Sequence, residues 1–138
     1  MICIIRIRGD TKVDGDVRET FDRLRLRRKY SCIVINQNKE QTGMIRKIED
    51  SVAFGEINKD VFEKLIDARG QRINKGKKVD SKKAAEEIGK GKKYEDLNLK
   101  PFFRLHPPRG GIKSKVHFPR GVLGNNGEKI NNLVLRML

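Results

Sequence analysis

Residues 2–35 read ICIIRIRGDTKVDGDVRETFDRLRLRRKYSCIVI, and the fold turns on how this stretch is parsed. Residues 2–8 are apolar except for Arg6 and Arg8, each beside an isoleucine. They read as a strand whose charged residues emerge near its end. Residues 9–15 are turn-rich. Asp16, with Glu19 three residues on, has the spacing of a capping box and predicts a helix over 17–28. Val17, Phe21 and Leu24 fall on one face of that helix. Arg23, Arg25, Arg27, Arg28 and Lys29 gather at its end, where the helix dipole favours cations. Residues 30–35, YSCIVI, read as a second strand. One compact unit thus supplies both a core and a cationic edge.

Working outward, residues 36–38 read as a turn and 40–49 as a helix burying Met44, Ile45 and Ile48. Val52 to Ile57 reads as a third strand. Asn58 is placed to cap a helix over 59–69, with Val61, Phe62, Leu65 and Ile66 as its apolar stripe and Gly70 as its stop. Lys59–Glu63 and Asp60–Lys64 have i,i+4 spacing, worth a few tenths of a kcal/mol each. The texture then changes. Residues 69–78, RGQRINKGKK, carry five cations and no acid. Ser81 is placed to cap a short helix over Ala84, Ala85 and Ile88 that ends at Gly89. Pro101, Phe102 and Phe103 suggest an extended anchor, and residues 106–127 read as loop. Residues 128–138 put Ile130, Leu133, Val134 and Met137 on one helical face that requires a partner surface. The expected organisation is a βαβαβ core with a third helix over 1–69, a basic extension over 70–125, and a terminal helix over 126–138 that packs back.

The chain has 138 residues and a formal net charge of +14. Residues 1–69 hold 15 Lys and Arg against 12 Asp and Glu, net +3, whereas residues 70–138 hold 17 against 6, net +11. A balanced half joined to a basic half points to a folded scaffold that carries a polyanion-binding surface. Glycines among the cations of 69–78 and 104–120 allow close approach of the backbone to RNA phosphates. A phosphate-binding loop is excluded, because five residues separate Gly70 from Gly76 and Lys78 stands where Ser or Thr should ligate magnesium. Cys3, Cys32, His106 and His117 lack zinc-site spacing, and Asp14 and Asp16 suit loop and cap roles. Strand aromatics of the RNA-recognition-motif kind are missing, Phe54 being the one in the third strand. Cys3 and Cys32 read as small core residues, although two strands could also bridge them. No apolar run reaches the length of a membrane span, and Met1 leads straight into a strand, so a cytoplasmic protein without catalytic or metal residues and without a cofactor is expected.

Several motifs resemble the L-thirty family of large-subunit ribosomal proteins, called L-seven in eukaryotes. Thr20, Leu24-Arg25-Leu26-Arg27-Arg28, Ser31-Cys32-Ile33, Gly43-Met44-Ile45 and Ile48 carry the likeness in the first half. Phe103-Arg104-Leu105, Pro108-Arg109-Gly110-Gly111, Lys113, Lys115, His117-Phe118, Gly121, Gly124-Asn125, Ile130-Asn131, Leu133 and Arg136-Met137 carry it in the second, and are similar to the long archaeal and eukaryotic form. The short approach to the first strand is similar to the archaeal branch. Phe21 replaces a usual aliphatic, and Asn126 a common arginine. The resemblance implies an α+β fold: a three-stranded antiparallel sheet, distantly ferredoxin-like, with two helices on one face. Strand–helix–strand units by themselves favour parallel strands. The seven residues 9–15 reach about 23 Å extended, enough to run back along the sheet first.

The resemblance also implies a structural role in the large ribosomal subunit, on large-subunit rRNA near 5S rRNA and beside neighbouring ribosomal proteins, with no membrane or small-molecule substrate. The RNA-contacting residues then expected are Arg8, Lys12, Arg27, Arg28, Lys29, Arg46, Lys47, Arg69, Arg72, Lys75, Lys77, Lys78, Arg104, Arg109, Lys113, Lys115, His117 and Arg120. Two alternatives stay open: a non-ribosomal RNA-binding module on the same fold, and an RNA-processing enzyme, for which no acid–base constellation is visible.

Overall fold

The computed structural model describes residues 1–36, 38–112 and 114–138. Gln37, in the turn expected at 36–38, and Lys113, an expected RNA contact, lie outside the described residues. In chain order the elements are β1 (Ile2–Arg6), α1 (Gly15–Arg23), β2 (Ser31–Ile35), α2 (Lys39–Ile48), β3 (Val52–Glu56), α3 (Lys59–Arg69), α4 (Ser81–Gly89), β4 (Phe103–Arg104), β5 (Gly124–Asn125) and α5 (Ile130–Met137). Short 3-10 turns at Glu95–Leu97 and Gly127–Lys129 complete it.

The sheet order is β4-β2-β1-β3-β5. β1 is central and antiparallel to both neighbours, with Ile4 opposite Ile33 on one side and Phe54 on the other. The α+β class and the antiparallel three-stranded centre agree with expectation. Two additions were not foreseen. Phe103–Arg104 extends the sheet antiparallel beyond β2, and Gly124–Asn125 extends it parallel beyond β3. Two-residue strands leave no periodicity to read, and the second lies in a stretch read as loop. The return to the start of the sheet is closed by the Tyr30 N–H, which donates to Arg6 O at 2.7 Å.

Side chains of β1 alternate between two cores. Ile4 joins Phe21, Leu24, Leu26, Ile33, Ile45, Ile48 and Val52 beneath α1 and α2. Cys3, Ile5 and Ile7 join Cys32, Val34 and Ala53 with residues of α3, α4 and α5 on the opposite face. Helices therefore cover both faces, so β1 is apolar on both and its alternation in sequence is weak. Ile130, Leu133, Val134 and Met137 are all buried against the second face. Cys3 and Cys32 are fully buried free thiols with their Sγ atoms 3.3 Å apart, so no disulfide bridges the strands.

Arg6 departs most from expectation. It does not emerge: it is 1 % exposed. Its Nε donates to Arg8 O at 3.0 Å, its Nη1 to Leu26 O at 2.8 Å and its Nη2 to Asp10 at 2.6 Å. The guanidinium carbon sits 4.0 Å from the centroid of Phe21. A buried charge requires such saturation, and the aromatic at 21 gives it a face that an aliphatic would not. The Arg6 guanidinium hydrogen-bonded to Asp10 holds that carboxyl below the usual carboxylate range.

Helix ends differ in detail. α1 begins after Asp14, so Asp16 lies in its first turn instead of capping it. It stops at Arg23, not 28, because Arg25 adopts φ +62°. The Arg25 N–H donates to Asp22 O and the Leu26 N–H to Phe21 O, the two bonds of a Schellman closure. Asn58 caps nothing with its side chain; its own N–H donates to Asn131 Oδ1 at 2.8 Å, tying α3 to α5. Asp80, not Ser81, caps α4 through the Lys82 N–H. Lys59 reaches across to Glu86 of α4 at 2.9 Å, a tie that raises the lysine pKa and lowers that of the glutamate. Gly70 ends α3 without a left-handed turn; a Cβ there would stand 2.3 Å from Ile66 O.

Candidate nucleic-acid interface

The segment after α1 is rigidly built. Leu26 is fully buried, Arg6 holds its carbonyl from beneath, and Arg25 and Tyr30 both have positive φ. Anchors alternating with exposed positions turn Arg25, Arg27 and Arg28 outward. Pairing of Ser31 with Arg104 then brings a distant part of the chain alongside. The result is a cleft of about 240 Å³ lined by Arg25, Arg27, Arg28, Ser31, Phe102 and Arg104. Among the described residues, Asp22 is the one carboxylate that pairs with these cations, 3.8 Å from Arg27 and exposed. Arg104 lies 5.7 Å over the ring of half-buried Phe102. Lys29 stands over Tyr30 at 5.0 Å.

The 69–78 tract forms a second site. Its backbone is clasped by Asn98, which is left-handed at φ +59°. Asn98 Oδ1 accepts from the Asn74 N–H at 2.7 Å, and its Nδ2 donates to Asn74 O at 2.8 Å. Arg72 pairs with Leu99 across a bridge, and its side chain donates to Lys77 O at 3.3 Å. Lys75, Lys77 and Lys78 are exposed, while Arg69 is half-buried at the end of α3. A tract read as loop is thus held open by a partner more than twenty residues away, with its lysines in solvent.

Around α5 lies a third basic region. Arg136 Nε donates to Arg109 O at 2.9 Å and its Nη2 to Gly111 O, while the Arg109 N–H donates back to Arg136 O. This clasp fixes the 108–111 turn and leaves the Arg109 side chain exposed. Gly110 and Gly111 take φ of +80° and +75°, which other residues rarely adopt. A groove beside it is lined by Phe118, Arg120, Lys129, Leu133 and Arg136 among others. Arg8 donates to Lys115 O at 3.1 Å, joining the loop after β1 to this region. Lys12 is exposed at φ +55°.

The expected set is therefore dispersed over several edges. Arg27, Arg28 and Arg104 meet in one cleft; Arg72, Lys75, Lys77 and Lys78 share another edge; Arg8, Lys115, Arg109 and Arg120 belong to the third region. Arg46 and Lys47 stand in the last turn of α2, both exposed. His117 bonds Asp50 at 2.7 Å, so its imidazole is already engaged. Asn126, in place of a common arginine, is 7 % exposed and donates to Val122 O and Gly124 O. Arg25 and Phe102 line the first cleft and Lys129 and Arg136 the groove beside α5, although none was among the expected RNA contacts; for Arg25 the LRLRRK run was the available signal. Among the described residues, no group of three or more His, Cys, Asp or Glu is placed to hold a metal, and no helix is long and apolar enough to cross a membrane.

Comparison with known proteins gives a consistent result. The family described as ribosomal protein L30p/L7e matches residues 2–52. A large ribosomal subunit protein uL30 from Archaeoglobus fulgidus is 39% identical, across 99% of this chain and 99% of its own length. Proteins of the same name from Ignicoccus hospitalis and Methanococcus vannielii are 40% and 38% identical, each across 98% of this chain and 96% and 97% of their own lengths.

Proposed function

The chain belongs to the ribosomal protein L30p/L7e family, and from that premise we propose that it is a structural constituent of the large ribosomal subunit that binds large-subunit rRNA through its basic loops. It is a structural protein and not an enzyme. Its place of work is the ribosome, in the cytoplasm.

One observation carries the RNA-binding part. Both sheet faces are sealed by helices, while among the described residues Arg25, Arg27, Arg28, Arg72, Lys75, Lys77, Lys78, Arg104, Arg109, Lys115 and Arg120 stand exposed with few acids beside them. Such a surface meets phosphates, which fix position and affinity and carry little base information. The scaffold spans residues 1–69, residues 70–125 supply most of the RNA-facing cations, and 126–138 braces the two together. A seat near 5S rRNA is supported by the family resemblance.

Sedimentation tests this reading. The tagged chain, expressed in its own organism, should co-sediment with large subunits at one copy per particle and persist through a moderate-salt wash. Recovery at the top of the gradient, or with RNA other than ribosomal particles, would make it a non-ribosomal RNA binder. Hydroxyl-radical cleavage from the bound protein should then mark large-subunit rRNA, with 5S rRNA among the cleaved strands.

A further inference from the structure

The cleft between the α1–β2 loop and β4 has features that a general phosphate-binding surface does not require. It is concave, with room for one base and its sugar, and guanidinium groups reach it from both the α1–β2 loop and β4. One wall is Phe102, with Arg104 over its ring. Ser31 is buried to 4 % exposure, and its hydroxyl makes no hydrogen bond among the described residues, so a small donor and acceptor remains unused at the cleft. Arg25, Arg28 and Arg104 have no carboxylate partner among the described residues.

Arg25 adds a second, independent line. It occupies the left-handed position of a Schellman closure, a place that glycine or asparagine fills without strain. An arginine held there is a backbone outlier at a cationic site, and such outliers point toward function. The carbonyl of the next residue, Leu26, is gripped by buried Arg6, so the strained turn is built from inside the core.

We propose that this cleft binds a single unstacked nucleotide of RNA, its base against Phe102 and Arg104 and its flanking phosphates on Arg25, Arg27 and Arg28. The inference rests on the reading that the chain binds rRNA and names one place where more than charge is recognised. Aromatic rings and guanidinium planes stack unpaired bases, and the arginine fork grips phosphate in a way that a lysine point charge does not. Duplex phosphates present a convex row that does not enter such a recess.

The test uses the full chain and rRNA extracted from large subunits of the same organism, titrated at several salt concentrations. Phe102→Leu keeps the apolar packing and removes the ring. Arg104→Lys keeps the charge and removes the plane. Each should weaken binding roughly five- to hundredfold, the range of one base–aromatic stack, with an unchanged log–log salt slope. Arg25→Asn suits the left-handed turn, so the fold is kept, and the slope should flatten by about 0.7–0.9, the share of a single phosphate. Thermal melts confirm folding; if Phe102→Leu fails to fold, Arg104→Lys and Arg25→Asn decide alone. Wild-type affinity for folded Arg104→Lys, with an unchanged slope for Arg25→Asn, overturns the proposal and leaves the cleft to an acidic protein segment. Failure of the unaltered chain to bind rRNA removes the functional reading itself, and the cleft with it.

Discussion

Arg6 shows how one buried cation can shape a surface that it never reaches. Its three hydrogen bonds fix the carbonyls of Arg8 and Leu26 and the carboxylate of Asp10, and so the loops on which Arg8, Arg25, Arg27 and Arg28 stand. Removing it strands two carbonyls at about 1–3 kcal/mol for each that stays buried. Arg6→Met, apolar and flexible, should therefore cost roughly 2–5 kcal/mol in denaturant melts, whereas Arg27→Met, exposed, should lie within about 0.5 kcal/mol of wild type. The Asp10 link sets an acid limb. Its folded pKa is depressed, so its stabilisation is present above the ordinary carboxylate range and is lost as pH falls below that range toward the folded value. Asp10→Asn should therefore lower stability at neutral pH, where the link is whole, and differ less and less from wild type as pH falls below about 4. This level was the least legible in sequence. Nothing in IIRIR separates an arginine that surfaces from one that is buried, because the groups that satisfy Arg6 lie at positions 8, 10, 21 and 26 and converge only after folding.

Elements were more legible where their periodicity ran long. α3 spans Lys59–Arg69 and the stripe Val61, Phe62, Leu65 and Ile66 is buried, because 11 residues repeat an apolar face often enough to be unambiguous. Caps fared worse. Asp14 displaced Asp16, Asp80 displaced Ser81, and Asn58 gives its N–H to Asn131, since neighbouring polar residues offer near-equal caps and tertiary contacts choose among them. α5 contributes Ile130, Leu133, Val134 and Met137 to the core, each worth roughly 1.5–3 kcal/mol on burial. Their sum is comparable with a typical domain's whole stability of about 5–15 kcal/mol. Deleting residues 127–138 should therefore abolish the cooperative melt followed by circular dichroism; a transition kept within a few degrees would show that α5 is dispensable. Gly55 reports on the same packing. A Cβ there would stand 2.2 Å from Gly127 O and 3.0 Å from Ile130 Cβ, so Gly55→Ala should destabilise by about 1–3 kcal/mol or more. Gly43→Ala, with open space at its Cβ position, should instead stabilise α2 by roughly 0.5–1 kcal/mol.

At the scale of the whole molecule, charge and fold are arranged for different tasks. Helices seal both sheet faces, so the open-sheet base stacking of many RNA-binding domains is not available. The cations instead ride on loops pinned by Asn98, Arg136 and Arg6. The net charge of the second half was plain in sequence and pointed to a polyanion partner, because composition survives any ignorance of geometry. The convergence of Arg25, Arg28, Phe102 and Arg104 was not, since it depends on the two-residue pairing of β4 with β2. Exposed loop cations are predicted to bind rRNA phosphates from a scaffold that folds without them. Lys75, Lys77 and Lys78 are exposed and belong to neither core. The most direct measurement is the affinity of the full chain for purified large-subunit rRNA as a function of salt, for wild type and for Lys75→Ala, Lys77→Ala and Lys78→Ala combined. Weaker binding is predicted, with a log–log slope flattened by about 2–3 and an unaltered thermal melt; wild-type affinity and slope in the triple variant would mean that the basic tract is only a solubilising loop.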